Sequence, residues 1–137
     1  MSESTIQLKV ITPTRVFYQG EVKKVLIKTR GENGEFTVLP NHVSMTADIG
    51  LGTMAFDEAE SGERKTATIF GGYTVIFRNQ MIIMSQVSEW PWEIDCERAE
   101  AARKRAEGRL HDPKHSQVKA EAAIYRAVTR LKLYRGR

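Results

Sequence analysis

Residues 88–110 read "SEWPWEIDCERAEAARKRAEGRL", and the reading of this stretch divides the chain in two. Two tryptophans bracket Pro91, a residue suited to a boundary or to the first turn of a helix. From Glu93 onward the composition is mostly Ala, Glu, Arg and Lys, all strong helix formers. At roughly 100° per residue, Ala99, Ala102, Ala106 and Leu110 share one narrow stripe of a helix expected over 93–110. Asp95, Arg98, Arg105 and Arg109 lie over or beside that stripe. Small seam residues allow close helix approach but bury little area, at about 25 cal/mol per Å². The arginines beside the seam have two readings, a solvated flank and a site for a polyanion.

Downstream, "HDPKH" at 111–115 breaks the helix. Pro113 cannot continue it, and Asp112 is placed to cap a second helix expected over about 114–133. The short break predicts an antiparallel hairpin. On the second helix Ala120, Ala123, Ile124, Ala127, Val128 and Leu131 form the apolar stripe, with Lys119, Arg126 and Arg130 along its edge.

Upstream, the sequence follows the pattern of strands. "IQLKVI", "VKKVLIKT", "EFTVLP", "TATIF", "YTVIF" and "MIIMSQV" are short and rich in β-branched and aromatic residues. "GENG" at 31–34 and "FRNQM" at 77–81 read as hairpin turns, and Gly71-Gly72 as a break or a bulge between strands. The expected class is α+β, with a sandwich or flattened barrel over 1–88 and a helical hairpin over 89–137.

Charge follows the same division. Residues 1–88 hold nine basic and nine acidic side chains, whereas 89–137 hold twelve and eight. From Lys114 onward seven basic residues stand against Glu121 alone, which suits an acidic partner. Cys96 is the one cysteine, so no intrachain disulfide can form and a reducing compartment is expected. The opening "MSESTIQLKV" has no basic segment followed by an apolar one, so no secretory leader is expected.

Several catalytic patterns fail on inspection. "GLGTMA" at 50–55 fits a loose dinucleotide fingerprint, but a polar stretch, not a helix, follows it. His111 and His115 are separated by Asp112-Pro113 and have no cysteine nearby, so no metal site is expected. No nucleophile and base stand at useful spacing, and no catalytic residue is expected.

Three stretches together resemble the epsilon subunits of bacterial F-type ATP synthases, called delta in mitochondria. They are "LKVITPTRVFYQGEVKKVLIKTRGENGEFTVLPNHVSM", "FGGYTVIFRNQMIIMSQVSE" and "IDCERA", the last fitting the family's nucleotide motif [I/L]-D-x-x-R-A. The resemblance covers nearly the whole chain, in the family's order. It implies an N-terminal β-sandwich of about ten strands in two packed layers, followed by an antiparallel two-helix hairpin.

The resemblance also implies a non-catalytic subunit of the central stalk, needing no cofactor. It implies contact with the gamma subunit, with the c-subunit ring near Glu35 and His42, and with the alpha/beta hexamer through the C-terminal helices. The expected location is the cytoplasmic face of the bacterial membrane, held peripherally by the complex. The hairpin would switch between folded and extended states and so inhibit ATP hydrolysis.

ATP is the regulatory ligand that some members take. The residues matching their site are Glu89, Ile94, Asp95, Arg98, Ala99, Arg105, Arg126 and Arg130. Lys119 stands where ATP-binding members carry an arginine, which keeps the charge but loses the forked geometry. The alternative reading is a free-standing basic module that binds nucleic acid through its C-terminal helices. Against it, the strand region offers no aromatic stacking surface in a basic setting.

Overall fold

The structure is a computed structural model and describes residues 4–30 and 34–136. It divides into two compact units, Met1–Ser88 and Glu89–Arg137.

The first unit contains six strands among its described residues: β1 (Ile6–Ile11), β2 (Val16–Thr29), β3 (Glu35–Val38), β4 (Met45–Glu58), β5 (Arg64–Phe77) and β6 (Gln80–Ser85). Hydrogen bonding runs in the order β1-β6-β5-β4-β2-β3. β1 also pairs with β2, so five strands close into a ring with β3 attached to β2. The β1–β6 pair is parallel, and the other pairs are antiparallel. The expectation of about ten short strands is corrected to six, because β2, β4 and β5 are 14 residues each.

These long strands change neighbours along their length. β2 pairs with β1 over 16–22, then with β4 over 22–29, shifting register between Val22 and Lys24. A bulge bends a strand without ending it, so one strand can serve two layers. "TATIF" and "YTVIF" are likewise one strand, joined through Gly71 at φ 83° and Gly72 at φ 132°. A β-carbon on Gly72 would lie 1.9 Å from the Met84 carbonyl oxygen, so only glycine lets β5 and β6 pair there.

The stretch "GLGTMA" lies inside β4. A β-carbon on Gly52 would meet the Lys28 carbonyl oxygen at 1.9 Å. That glycine therefore serves the close approach of β4 to β2 and does not cradle a phosphate. At the β5–β6 turn, Arg78 and Asn79 have φ 49° and 59°, as the two-residue turn that matches strand twist demands. The expected turn in "GENG" lies largely outside the described residues, but its flanks pair antiparallel, Lys28 opposite Glu35.

Alternation sets the core. In β1 Ile6, Leu8 and Val10 are buried, and Val25, Ile27, Met54, Phe56, Ile69, Met81 and Ile83 join them from other strands. Buried Thr74 donates through Oγ1 to the Ile82 carbonyl at 3.0 Å, which offsets the cost of desolvating its hydroxyl.

The second unit opens with a single 3-10 turn, Pro91–Glu93, followed by α1 (Cys96–Leu110) and α2 (Gln117–Arg135). Asp95 caps α1, its carboxylate accepting from the Arg98 N–H at 3.1 Å. Ser116, not Asp112, caps α2 by accepting from the Lys119 N–H at 3.3 Å. Asp112 instead takes the Lys114 N–H at 2.9 Å, which tightens the connection and delays α2 to Gln117. α2 packs back along α1 and reaches the 3-10 turn, which makes the hairpin antiparallel. Ala99 and Ala106 of α1 and Ala120 and Ala127 of α2 are buried at seven-residue spacing.

Candidate functional site

The hairpin carries an open cleft of about 430 Å³ on the side where α1 begins. Its floor is Ala99 and Ala102, and its walls are ionic: Glu89, Glu93 and Asp95 against Arg98, Arg105 and Arg130. The volume lies in the range of small-molecule sites. The small alanine side chains leave this space open between charged walls.

Each wall residue is placed by local structure. Glu89 begins the unit and accepts from Arg130 of α2, Nε to Oε1 at 2.7 Å. Glu93 closes the 3-10 turn by accepting from the Trp90 N–H at 2.9 Å. Asp95 is held as the cap of α1. Arg98 and Arg105 are seven residues apart on α1, so both project from one face. Among the described residues neither guanidinium has an ion-pair partner, whereas neighbouring Arg103 is engaged by Glu100 and Glu107. Two unpaired guanidiniums beside an open cleft are a fork for phosphate-type oxygens.

Of the eight residues expected at a nucleotide site, Glu89, Asp95, Arg98, Ala99, Arg105 and Arg130 line this one cleft. Ile94 is buried, and Arg126 sits half-buried on α2 one turn before Arg130; neither lines the cleft. Sequence reading left out Glu93 and Ala102. Glu93 was legible as the acidic residue three places after Trp90 at a helical start. Ala102 already belonged to the expected seam.

Glu35 and His42 belong to the first unit. Glu35 is the exposed first residue of β3. His42 lies in the β3–β4 connection, where Nδ1 is 2.7 Å from the Val43 carbonyl oxygen. A carbonyl only accepts, so Nδ1 carries the proton and donates. Exposed Leu39 and Val43 flank His42. Asn41 and Asn79 tie this connection to the β5–β6 turn, the Asn41 N–H donating to Asn79 Oδ1 at 2.5 Å and Asn79 Nδ2 to Asn41 Oδ1 at 3.2 Å.

Among the described residues no three His, Cys, Asp or Glu side chains form a group able to hold a metal ion. None of their helices is long and apolar enough to cross a membrane.

Comparison with known proteins matches both units. The beta-sandwich domain of the ATP synthase delta/epsilon chain matches residues 5–91, and its long alpha-helix domain matches residues 93–134. An ATP synthase epsilon chain from Caldanaerobacter subterraneus subsp. tengcongensis is 39% identical over 134 residues, covering 96% of this chain and 94% of that one. A sodium ion specific epsilon chain from Acetobacterium woodii is 38% identical over 110 residues, 80% of each chain. A chain of the Euglena gracilis mitochondrial ATP synthase, solved by cryo-EM as OSCP/F1/c-ring, shares the fold with a TM-score of 0.80 at 22% identity, covering 93% of this chain and 79% of that one. With both domains matched in sequence order across most of its length, this chain belongs to the ATP synthase delta/epsilon chain family.

Proposed function

We propose that this chain is a non-catalytic central-stalk subunit of a rotary ATP synthase, and that its helical hairpin is an ATP-responsive brake on hydrolysis. The observation that carries the ATP reading is the cleft in which Arg98 and Arg105 stand without acidic partners opposite Arg130. Phosphates would take the two free guanidiniums, while Asp95 and Glu93 are positioned to accept from ribose or base. The walls come from the 3-10 turn, α1 and α2, so the full set exists only while the hairpin is folded. Ligand that binds only one state shifts the population towards it. The alanine seam supports the switch, because its burial contributes little against opening.

In this reading the sandwich docks on the gamma subunit and on the c ring, near Glu35 and His42. The basic C-terminal helix meets acidic surface on the alpha/beta hexamer. The subunit then lies peripherally at the cytoplasmic face of a bacterial membrane.

Calorimetric titration of the full chain with ATP tests the ligand. Saturable heat is expected, weakened at least about tenfold by Arg98→Ala, in line with the loss of a charge-assisted hydrogen bond. No heat and no thermal stabilisation at millimolar ATP would sink the ATP reading. Absence of a complex with the gamma subunit of the same organism would sink the stalk reading.

A further inference from the structure

The hairpin has a second pit, of about 130 Å³, at the other end of the seam. Ala106, Ala120 and Ala123 form its floor. Arg109 from α1, His115 from the connection and Lys119 from α2 form its rim. No carboxylate lines it. Here the two cavities differ in kind: the first cleft sets three acidic groups against three guanidiniums, and the second sets Arg109, His115 and Lys119 beside Ser116 with no acidic group.

Among the described residues neither the Arg109 nor the Lys119 side chain has an ion pair. Of the rim cations only His115 faces a carboxylate, that of Asp112, whose Oδ2 is 3.7 Å from His115 Nε2 while its Oδ1 accepts from the Lys114 N–H. Folding the hairpin therefore brings like charges from both helices to one pit with little local compensation. Such a juxtaposition opposes closure until an anion sits between the cations.

From this arrangement we infer that the second pit is a separate site for a small phosphate-class oxyanion, which binds the folded hairpin and stabilises it. A tetrahedral oxyanion offers an edge of two oxygens to the Arg109 fork and a further oxygen to the Lys119 ammonium. The His115 imidazole can add one donor. A halide has no such edge, so the site distinguishes phosphate from chloride. Because α1 and α2 each supply a cation, the extended hairpin has no complete site. Phosphate then favours the folded form by mass action, with no nucleotide needed in the first cleft.

The test is a titration of the full chain with sodium phosphate, and separately with sodium chloride, at matched ionic strength and pH. Backbone amide resonances are followed by NMR. A saturable, phosphate-specific response centred on Arg109 and residues 115–119 is expected. The double variant Arg109→Gln with Lys119→Gln should lose at least tenfold in phosphate affinity, while Lys119→Arg and Arg98→Ala keep it. Without phosphate that double variant should melt higher than the parent, since it relieves repulsion. The increment that phosphate adds to the parent's melting point should be absent from it. A purely structural role for the pair would instead lower the melting point.

Saturating ATP distinguishes the source of the oxyanion. If the phosphate response survives in its presence, the second site is its own. The inference is overturned if chloride gives the same shifts, if the shifts centre on residues 89–105, or if ATP or Arg98→Ala abolishes the phosphate response. It is also overturned if the double variant binds as well as the parent. Should the double variant fail to fold, the contrast between Lys119→Gln and Lys119→Arg carries the same decision.

Discussion

Arg130 and Glu89 meet at 2.7 Å, Nε to Oε1, although 41 residues separate them in the chain. Both side chains are about three-quarters buried, with 27% and 26% of their surface exposed. The contact joins the first residue of the helical unit to the last third of α2, so it forms only when the hairpin is closed. It also holds one guanidinium of the cleft in place while Arg98 and Arg105 remain available.

A double-mutant cycle on this pair reports hairpin closure. Glu89→Gln and Arg130→Gln should each weaken closure, with a coupling energy of about 1 kcal/mol, typical of a partly buried, hydrogen-bonded ion pair. Hydrogen exchange of the α2 amides is the readout. A coupling indistinguishable from zero would mean that the pair does not hold the hairpin shut.

The seam gives a second prediction. Ala127 is 1% exposed in the packed seam, so a larger side chain there must displace its neighbours. Ala127→Leu should weaken closure by about 1–3 kcal/mol through overpacking. The two tryptophans of the chain, Trp90 and Trp92, stack with ring centres 5.2 Å apart beside the cleft. Their fluorescence should therefore shift as the hairpin opens, and an unchanged emission spectrum in the variant would count against the close-packed seam.

Gly72→Ala tests the β5–β6 ladder. At φ 132° the substitution is strained, and the new β-carbon collides with the Met84 backbone. A loss of about 3 kcal/mol or more is expected for the sandwich, combining strain with displaced backbone pairing. Thermal melting followed by far-UV circular dichroism measures it. A Gly62→Ala variant is the control: it also has positive φ, at 72°, but nothing within 4 Å of the added carbon. It should cost about 1 kcal/mol, the strain without the clash.

The sandwich also carries a pH-sensitive joint. The Tyr18 hydroxyl donates to Glu58 Oε2 at 2.8 Å, and Ser61 donates to the other oxygen at 2.9 Å. These donors hold the Glu58 carboxyl below the usual carboxylate range, and Arg64 does the same for Asp57. A depressed folded value means stability that is present above the unfolded value and lost as pH falls through the folded one. Burial, followed by the Glu58 contact, pushes Tyr18 upward, so its contribution is present below the ordinary phenol value and lost as pH rises through the folded one. Tyr18→Phe should therefore lower stability near neutral pH by about 1 kcal/mol and flatten the decline on both sides. Melting temperatures measured from acid to alkaline pH decide this; a parallel downward shift without flattening would contradict the linkage.

The sequence alone carried the division at Ser88 and Glu89, the α+β class and the two helices. These are local properties, set by helix propensity, proline and alternation within a few residues of each other. Through the resemblance carried by "IDCERA" it also pointed to Glu89, Ile94, Asp95, Arg98, Ala99, Arg105, Arg126 and Arg130 as one candidate site, of which Ile94 and Arg126 do not line the cleft. Tertiary structure alone decided that five strands, three of them 14 residues long, close into a ring, because glycine at 52 and 72 is explained only by the backbone of a strand distant in sequence or across a turn. The same holds for the cleft: helical periodicity puts Arg98 and Arg105 on one face, but only packing shows that Arg130 is tied to Glu89 and that those two stay unpaired. Ser116 in place of Asp112 as the cap of α2 turned on which oxygen the Lys114 and Lys119 amides reach, a choice of a single turn that composition cannot make.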